Sequence, residues 1–264
     1  VTNPDPLNER VFSAELGYGF RSGIFTANLN AYYTLWMDKS FVRSTQMSNG
    51  DYARINLGGV DARHMGIELD FSLRPTRWMD ITGMLSLGDW IWDSNTKGYI
   101  YDSQGQPMTA ALDGTVASGI MADDHAWLYL KQKGIKVGGS AQTTGAIGVT
   151  VRPMKGLRVS ADWNAYGNNY ADFWLGSGLN GNQTIEVKDP WRIPWGHQLD
   201  LSASYRFKIG NIFATIYGNV NNVYNYNYIM DAQSDALQEG VWQNAYAVMY
   251  SFGRTYTVRV KINF

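Results

Sequence analysis

The chain has 264 residues and a formal net charge of −1 with a sequence pI near 6.3, a balance with no electrostatic footprint for nucleic acid. It contains no cysteine, which excludes disulfides and thiol chemistry. Mean hydropathy is −0.28, and no apolar run approaches the ~18–20 residues of a membrane-spanning helix; a transmembrane barrel passes that test unseen, because only alternate residues face lipid.

Aromatic residues make up 14% and glycine 28 of the positions, which suits β structure with many turns. Alternation with a period of two marks about nine strands. The first, Val11–Phe20, sets Phe12, Ala14, Leu16, Tyr18 and Phe20 against Ser13, Glu15, Gly17 and Gly19. After Arg21-Ser22-Gly23, the second, Ile24–Met37, sets Phe25, Ala27, Leu29, Ala31, Tyr33 and Leu35 against Thr26, Asn28, Asn30, Tyr32 and Thr34. A polar connection through Asn56 and Gly58-Gly59 reaches the third, Met65–Arg74, where Ile67, Leu69, Phe71 and Leu73 oppose Glu68, Asp70, Ser72 and Arg74. A turn at Pro75-Thr76-Arg77 starts the fourth, Trp78–Trp92, with Met79, Ile81, Leu85 and Leu87 on its apolar face. Beyond Gly88, continued alternation puts Asp89 on the apolar face and Trp90 and Trp92 on the polar one; a bulge near Gly88 would reverse that phase.

The longest connection, Asp93 to Gly139, carries a turn signal at Asp102-Ser103-Gln104-Gly105. The fifth strand, Ala141–Arg152, turns at Pro153-Met154-Lys155-Gly156 into the sixth, Leu157–Asn168. A connection rich in Gly, Asn and Trp leads to the seventh, His197–Phe207, which turns at Lys208–Asn211 into the eighth, Ile212–Val223. A last long connection precedes Tyr256–Phe264, where Tyr256, Val258, Val260, Ile262 and Phe264 alternate with Thr257, Arg259, Lys261 and Asn263.

Strands of ~10–14 residues exceed the ~5–6 of soluble sheets and suit a tilted membrane crossing of ~9–11. The polar faces carry Glu15, Asn28, Asn30, Glu68, Asp70, Arg158, Asp162, Asp200, Arg206, Arg259 and Lys261, too many charges for a dry core. The expected fold is therefore an all-β, antiparallel transmembrane barrel with lipid on the apolar face and a wet lumen on the charged one. Short and long connections alternate, as do the tight periplasmic turns and long extracellular loops of such barrels, which puts the C-terminus on the periplasmic side. An odd number of strands with a free first edge leaves backbone unpaired in lipid. These residues are thus expected to be the C-terminal part of a larger barrel. The N-terminal stretch has no signal-peptide character, so an exported protein starting here is mature, processed or incomplete.

Three local motifs are weaker. Gly176-Ser177-Gly178-Leu179-Asn180-Gly181 matches G-x-G-x-x-G without the flanking strand and helix that a dinucleotide site needs. Asp123-Asp124-His125 offers oxygen ligands for calcium in an outer loop and no zinc-type spacing. His64 and His197 stand alone near strand starts and read as hydrogen-bonding residues of the rim. No nucleophile–base pair can be assembled, so an enzyme is not expected.

Aromatic residues fall into two groups. Phe20, Phe25, Phe71, Trp78, Tyr205, Phe207 and Phe264 sit near the short turns, where an interfacial girdle belongs, and Tyr33 and Trp163 suit the opposite girdle. In the long connections Trp127, Tyr129, Tyr170, Phe173, Trp174, Trp191, Trp195 and Trp242 are candidates for stacking on a sugar or another flat ligand. The alternative is that they pack the loops together.

Asn3-Pro4-Asp5-Pro6 followed by Glu15-Leu16-Gly17-Tyr18 resembles the start of the corresponding region in TonB-dependent outer-membrane receptors. The tail from Gly253 resembles their last strand, whose alternate apolar residues and terminal Phe264 match a signal read by the barrel-assembly machinery. Ala62–Phe71, Val137–Thr143 and Asn169–Phe173 are similar to the receptors of Bacteroidota, the SusC-like group. The resemblance implies a barrel of about 22 strands around an N-terminal plug. It also implies TonB-driven import of a nutrient ligand (glycan, peptide or metal chelate), with TonB, the assembly machinery and a SusD-like surface lipoprotein as partners. A passive porin and an adhesin-like structural barrel share the same strand pattern.

Overall fold

The computed structural model describes residues 8–48, 50–109, 125–176 and 179–263. Asn3 to Pro6, Asp123, Asp124, Ser177, Gly178 and Phe264 lie outside the described residues. Four strands come first: β1 (Arg10–Arg21), β2 (Phe25–Gln46), β3 (Tyr52–Thr76) and β4 (Met79–Trp92). The connection that follows contributes β5 (Thr96–Asp102) and β6 (Trp127–Lys131). After β7 (Ala141–Met154) and β8 (Leu157–Tyr170) come the short β9 (Asp172–Trp174), β10 (Gln183–Glu186) and β11 (Arg192–Ile193). The chain closes with β12 (Gly196–Ile209), β13 (Ile212–Asn221), β14 (Ile229–Asp235), a 3-10 turn at Trp242–Asn244, β15 (Ala245–Tyr250) and β16 (Thr255–Asn263).

Nine of these strands make a continuous wall in the order β1-β2-β3-β4-β7-β8-β12-β13-β16, each antiparallel to the next. They are the nine that period-two alternation marks. The wall is not closed: β1 and β16 stand at its edges and do not pair with each other. All the short turns lie at one end. Gly156 (φ +87°) and Gly210 (φ +59°) take left-handed backbone in two of them, the conformation that tight hairpins need and that glycine adopts at no steric cost.

One expectation about the strands changes, and one open alternative is resolved. The segment before Met65 is not a polar loop, because β2 and β3 continue their ladder to Gln46↔Tyr52. Register shifts between Trp36 and Phe41 absorb the bend there, with Asp38 in left-handed backbone (φ +59°). Burial along β3 changes phase between Leu57 and Val60, across Gly58-Gly59. The ladder is kept by apolar side chains, Ala53, Ile55, Leu57 and Val60, that find a buried environment above the wall. There is also no bulge at Gly88: β3 and β4 stay in register from Ala62↔Trp92 to Leu73↔Ile81. Asp89 therefore lies on the apolar face, where it pairs with Lys136 and Arg63. Trp90 and Trp92 lie on the charged face.

The buried core sits in the outer layer and not in the wall. Every described residue of β1 and β16 is exposed, whereas Ile55, Leu57, Val60, Ile100, Leu128, Leu130 and Leu175 are fully buried in one cluster. That cluster joins the outer halves of β2 and β3 to the long connections, through β5 antiparallel to β3 and β6, and β10 parallel to β6. Trp36, Ala62 and Trp92 belong to the charged face by register and pack in the same cluster, so the outer layer folds onto the outer end of that face. A smaller group, Ala171, Trp191, Ile193 and Ala232, joins the second and third long connections. The expected turn after β5 is present: Asp102 Oδ1 accepts the N–H groups of Gln104 (2.9 Å) and Gln106 (2.7 Å).

Candidate functional site

Residues directly opposite in an antiparallel ladder share a face, so the register fixes the surface that each wall residue lines. Asn28 opposes Asp70 and Asn30 opposes Glu68, while Glu15 opposes Tyr32. Asp162 opposes Asp200, Arg158 opposes Ser204, Arg206 opposes Thr215, and Thr215 opposes Lys261. Following these pairs strand by strand places all eleven charged or amide residues anticipated from sequence on one face. Tyr32, His64, Arg74, Asp80, Trp90, Arg152 and Tyr217 share that face and had no separate signal beyond the alternation itself.

Local partners hold several of these groups. Asn28 Nδ2 donates to Asp70 at 2.8 Å. The like charges of Asp162 and Asp200 face each other, a destabilising pair in isolation. Asp200 offsets this by accepting the Asn222 N–H (2.7 Å) and the Gln198 side-chain amide (2.8 Å), which also ties down the start of the last long connection. Asp80 bridges Arg74 (2.8 Å) and Arg152 (2.5 Å). The guanidinium of Arg206 lies 4.6 Å from the Phe213 ring centre and that of Arg259 lies 4.3 Å from Tyr217.

The histidines differ from the expectation of rim hydrogen bonding. His64 stacks on Trp90 at 5.0 Å, and Trp90 Nε1 donates to the Tyr32 hydroxyl at 2.9 Å. His197 stacks on Tyr226 at 4.8 Å, and its buried Nδ1 has no hydrogen-bond partner among the described residues. Aromatic neighbours rather than polar ones hold both rings. They belong to ladders that only the three-dimensional register assembles.

On the apolar face, Phe20, Phe25 and Phe71 form a row near the short turns with centroid spacings of 6.1 and 6.3 Å, and Tyr205 and Phe207 lie 5.7 Å apart. Tyr33 and Trp163 are exposed on the same face toward the other end. Aromatic side chains thus stand toward both ends of the apolar face.

The eight outer-layer aromatics do not gather at one place. Phe173 is buried against Trp92 and under the Arg43 guanidinium, and Trp191 is buried in the smaller cluster. Both rings pack against protein. Trp174 stacks on Tyr246 at 4.1 Å, and Trp242 meets Trp191 edge-on. The Lys97 ammonium lies over Trp127, and Tyr129 opposes Lys97 on β5. Tyr170 ends β8 opposite Arg192. Trp195 is exposed, with its ring across Gly167.

Gly176 and Leu179 of the glycine-rich stretch are held by protein contacts. Thr45 Oγ1 donates to the Gly176 carbonyl at 2.6 Å, and Leu179 is buried and accepts the Ser48 N–H. Of the Asp-Asp-His stretch only His125 is described; its Nε2 lies 3.0 Å from the Ile100 carbonyl, between Tyr99 and Tyr101. Among the described residues no group of three His, Asp or Glu could hold a metal ion.

Burial pushes the pKa of His125 down, against the Ile100 hydrogen bond and with help from Lys97. A histidine depressed in the folded state stays neutral there while the unfolded chain takes up a proton, so stability is full above the unfolded value of ~6.5 and lost as pH falls below it. The protection of amides around β5 and β6, taken relative to their intrinsic exchange at each pH, should fall on acidification through that range, and His125→Gln should flatten the response. Protection that stays constant with pH in the parent chain would contradict this assignment.

Residues 1–223 match a family model described as "TonB dependent receptor-like, beta-barrel". Solved structures share the fold, among them two transporters. The copper transporter OprC superposes with a TM-score of 0.57 at 14% identity over 97% of this chain. The FrpB iron transporter from Neisseria meningitidis (F3-3 variant) superposes with a TM-score of 0.52 at 16% identity over 96%. Each alignment takes up 31% of the other chain, so the present chain spans about a third of their length. No curated protein sequence matches.

Proposed function

Since the chain belongs to the TonB-dependent receptor-like β-barrel family, we propose that it forms the C-terminal part of the barrel of an outer-membrane active transporter. The carrying observation is the nine-strand wall with one apolar and one charged face. Lipid covers the apolar face, and a water-filled lumen meets the charged one. Further strands, pairing with β1 and β16, close the barrel, because open sheet edges do not occur in lipid. The short turns and the C-terminus are periplasmic, and the buried outer layer is extracellular.

The function is binding and gating without a covalent step. The ligand is a nutrient, whether glycan, peptide or metal chelate; the metal-transporter neighbours favour the last only by likeness of fold. TonB energises import, the assembly machinery recognises the Tyr256–Phe264 strand, and the sequence stretches of Bacteroidota type point to a SusC-like receptor with a SusD-like partner.

The test is uptake by cells carrying the full-length receptor, with and without TonB. Saturable uptake that disappears without TonB supports the transporter. Uptake or liposome conductance that persists without TonB identifies a passive pore. Neither uptake nor conductance identifies a structural barrel.

A further inference from the structure

Charge is unevenly spread over the charged face. The carboxylates Glu15, Glu68 and Asp70 lie on the β1–β3 flank, and Asp80, Asp162 and Asp200 lie further along the same face. The cations gather on the other flank, toward the short turns. There Arg152, Lys155, Arg158, Arg206 and Lys261 line one open hollow of about 770 Å³, to which no Asp or Glu among the described residues contributes. Arg152 is paired with Asp80. Among the described residues the other four, and the adjacent Arg259, form no ion pair.

Arg206 and Lys261 flank Thr215 on neighbouring strands, a separation of roughly 10 Å. That is about the distance over which salt at physiological strength screens charge. Unpaired like charges this close repel, and a shared anion would relieve them. Ring contacts hold two guanidinium groups in place. Arg206 lies over Phe213 and Arg259 over Tyr217, and among the described residues the N–H edges of both have no hydrogen-bond or ion-pair partner. Such edges match the paired oxygens of a carboxylate or phosphate.

We propose that this hollow binds an oxyanion, the carboxylate or phosphate group of a soluble solute moving along the wall. The hollow lies on the face opposite the apolar one, so a solute rather than a membrane headgroup is its ligand. The site rests on the reading of this face as water-lined. Ser204 lies in the hollow and this chain has no cysteine, so labelling of Ser204→Cys by a charged thiol reagent tests that reading by itself.

The experiment is calorimetric titration of the full-length receptor, in lipid-free nonionic detergent at low salt, with pyrophosphate as probe. Saturable binding is expected, weakened by about tenfold in Arg206→Gln and in Lys261→Gln, and unchanged in Glu68→Gln on the opposite flank. Among the described residues Lys261 makes no side-chain hydrogen bond or ring contact, so its variant serves if Arg206→Gln does not insert. Absence of saturable binding overturns the site, as does equal binding in the variants. Binding that needs added phosphatidylglycerol overturns the solute in favour of a lipid headgroup. If Ser204→Cys labels and pyrophosphate does not bind, the site alone fails; if Ser204→Cys resists the reagent, the water-lined wall fails with it.

Discussion

Leu85→Arg is expected to cost the inserted barrel about 2–4 kcal/mol, the scale for a cation at mid-membrane on a lipid-facing strand. Leu85 lies in a cross-strand row with Leu29 and Leu69 on the apolar face. Between that row and the short turns lies Phe71, and on the far side lies Tyr33, so the row sits between the two aromatic girdles. The adjacent Ser86 points to the other face, opposite Glu68. Ser86→Arg should therefore change stability by less than about 1 kcal/mol, since the new cation stays in water beside a carboxylate. Denaturant titration in bilayers measures both variants on the same strand. Equal costs, or a larger cost at Ser86, would invert the assignment of faces. Asp200 is a poor control for this comparison, because it holds the Asn222 N–H and its replacement would also release a turn.

Leu128→Ala should remove about 2–5 kcal/mol from the outer layer while leaving the wall in place, because a fully buried leucine leaves a cavity that its neighbours only partly fill. Leu128 pairs with Gly98 on β5 and Gln183 on β10 and packs in the cluster that holds Ile55 and Leu57. Limited proteolysis and amide exchange should show the long connections opening, with the heat-modifiable mobility of the barrel preserved on gels. Unchanged protection would mean that the cluster does not stabilise the layer. Loss of the barrel itself would mean that wall and layer fold as one unit. Val258→Ala is the matched contrast: Val258 is 76% exposed on β16 and leaves no protein cavity, so its loss should have little effect on the layer.

The two experiments address the parts of the molecule that were differently legible. Wall strands carry their own evidence. Each lies between two fixed environments, so Phe12-Ser13-Ala14-Glu15 or Val258-Arg259-Val260-Lys261 declares its faces residue by residue, without knowledge of its neighbours. That is why the nine strands, both aromatic rows and the common face of the eleven polar residues follow from a period of two. The same rule carried through Gly88 gives the observed phase at Trp90 and Trp92, with Asp89 stabilised on the apolar side by Lys136 and Arg63.

The outer layer has no such template. Ile55, Leu57 and Leu128 are buried only because separate connections fold over one another, and β10 pairs in parallel with β6 across more than fifty residues of chain. The environment of Phe173 or Trp191 is made by segments distant in sequence, so composition marked them as aromatic loop residues and could not tell packing from binding. The gathering of cations around Arg206 is of the same kind: each residue's face was set by its own strand, but their proximity depends on register across five strands. Alternation between an apolar and a charged face was decided by the sequence itself. Which side chains meet above the wall, and which charges meet along it, was decided by tertiary structure, because those neighbours are brought together only when strands and loops pair.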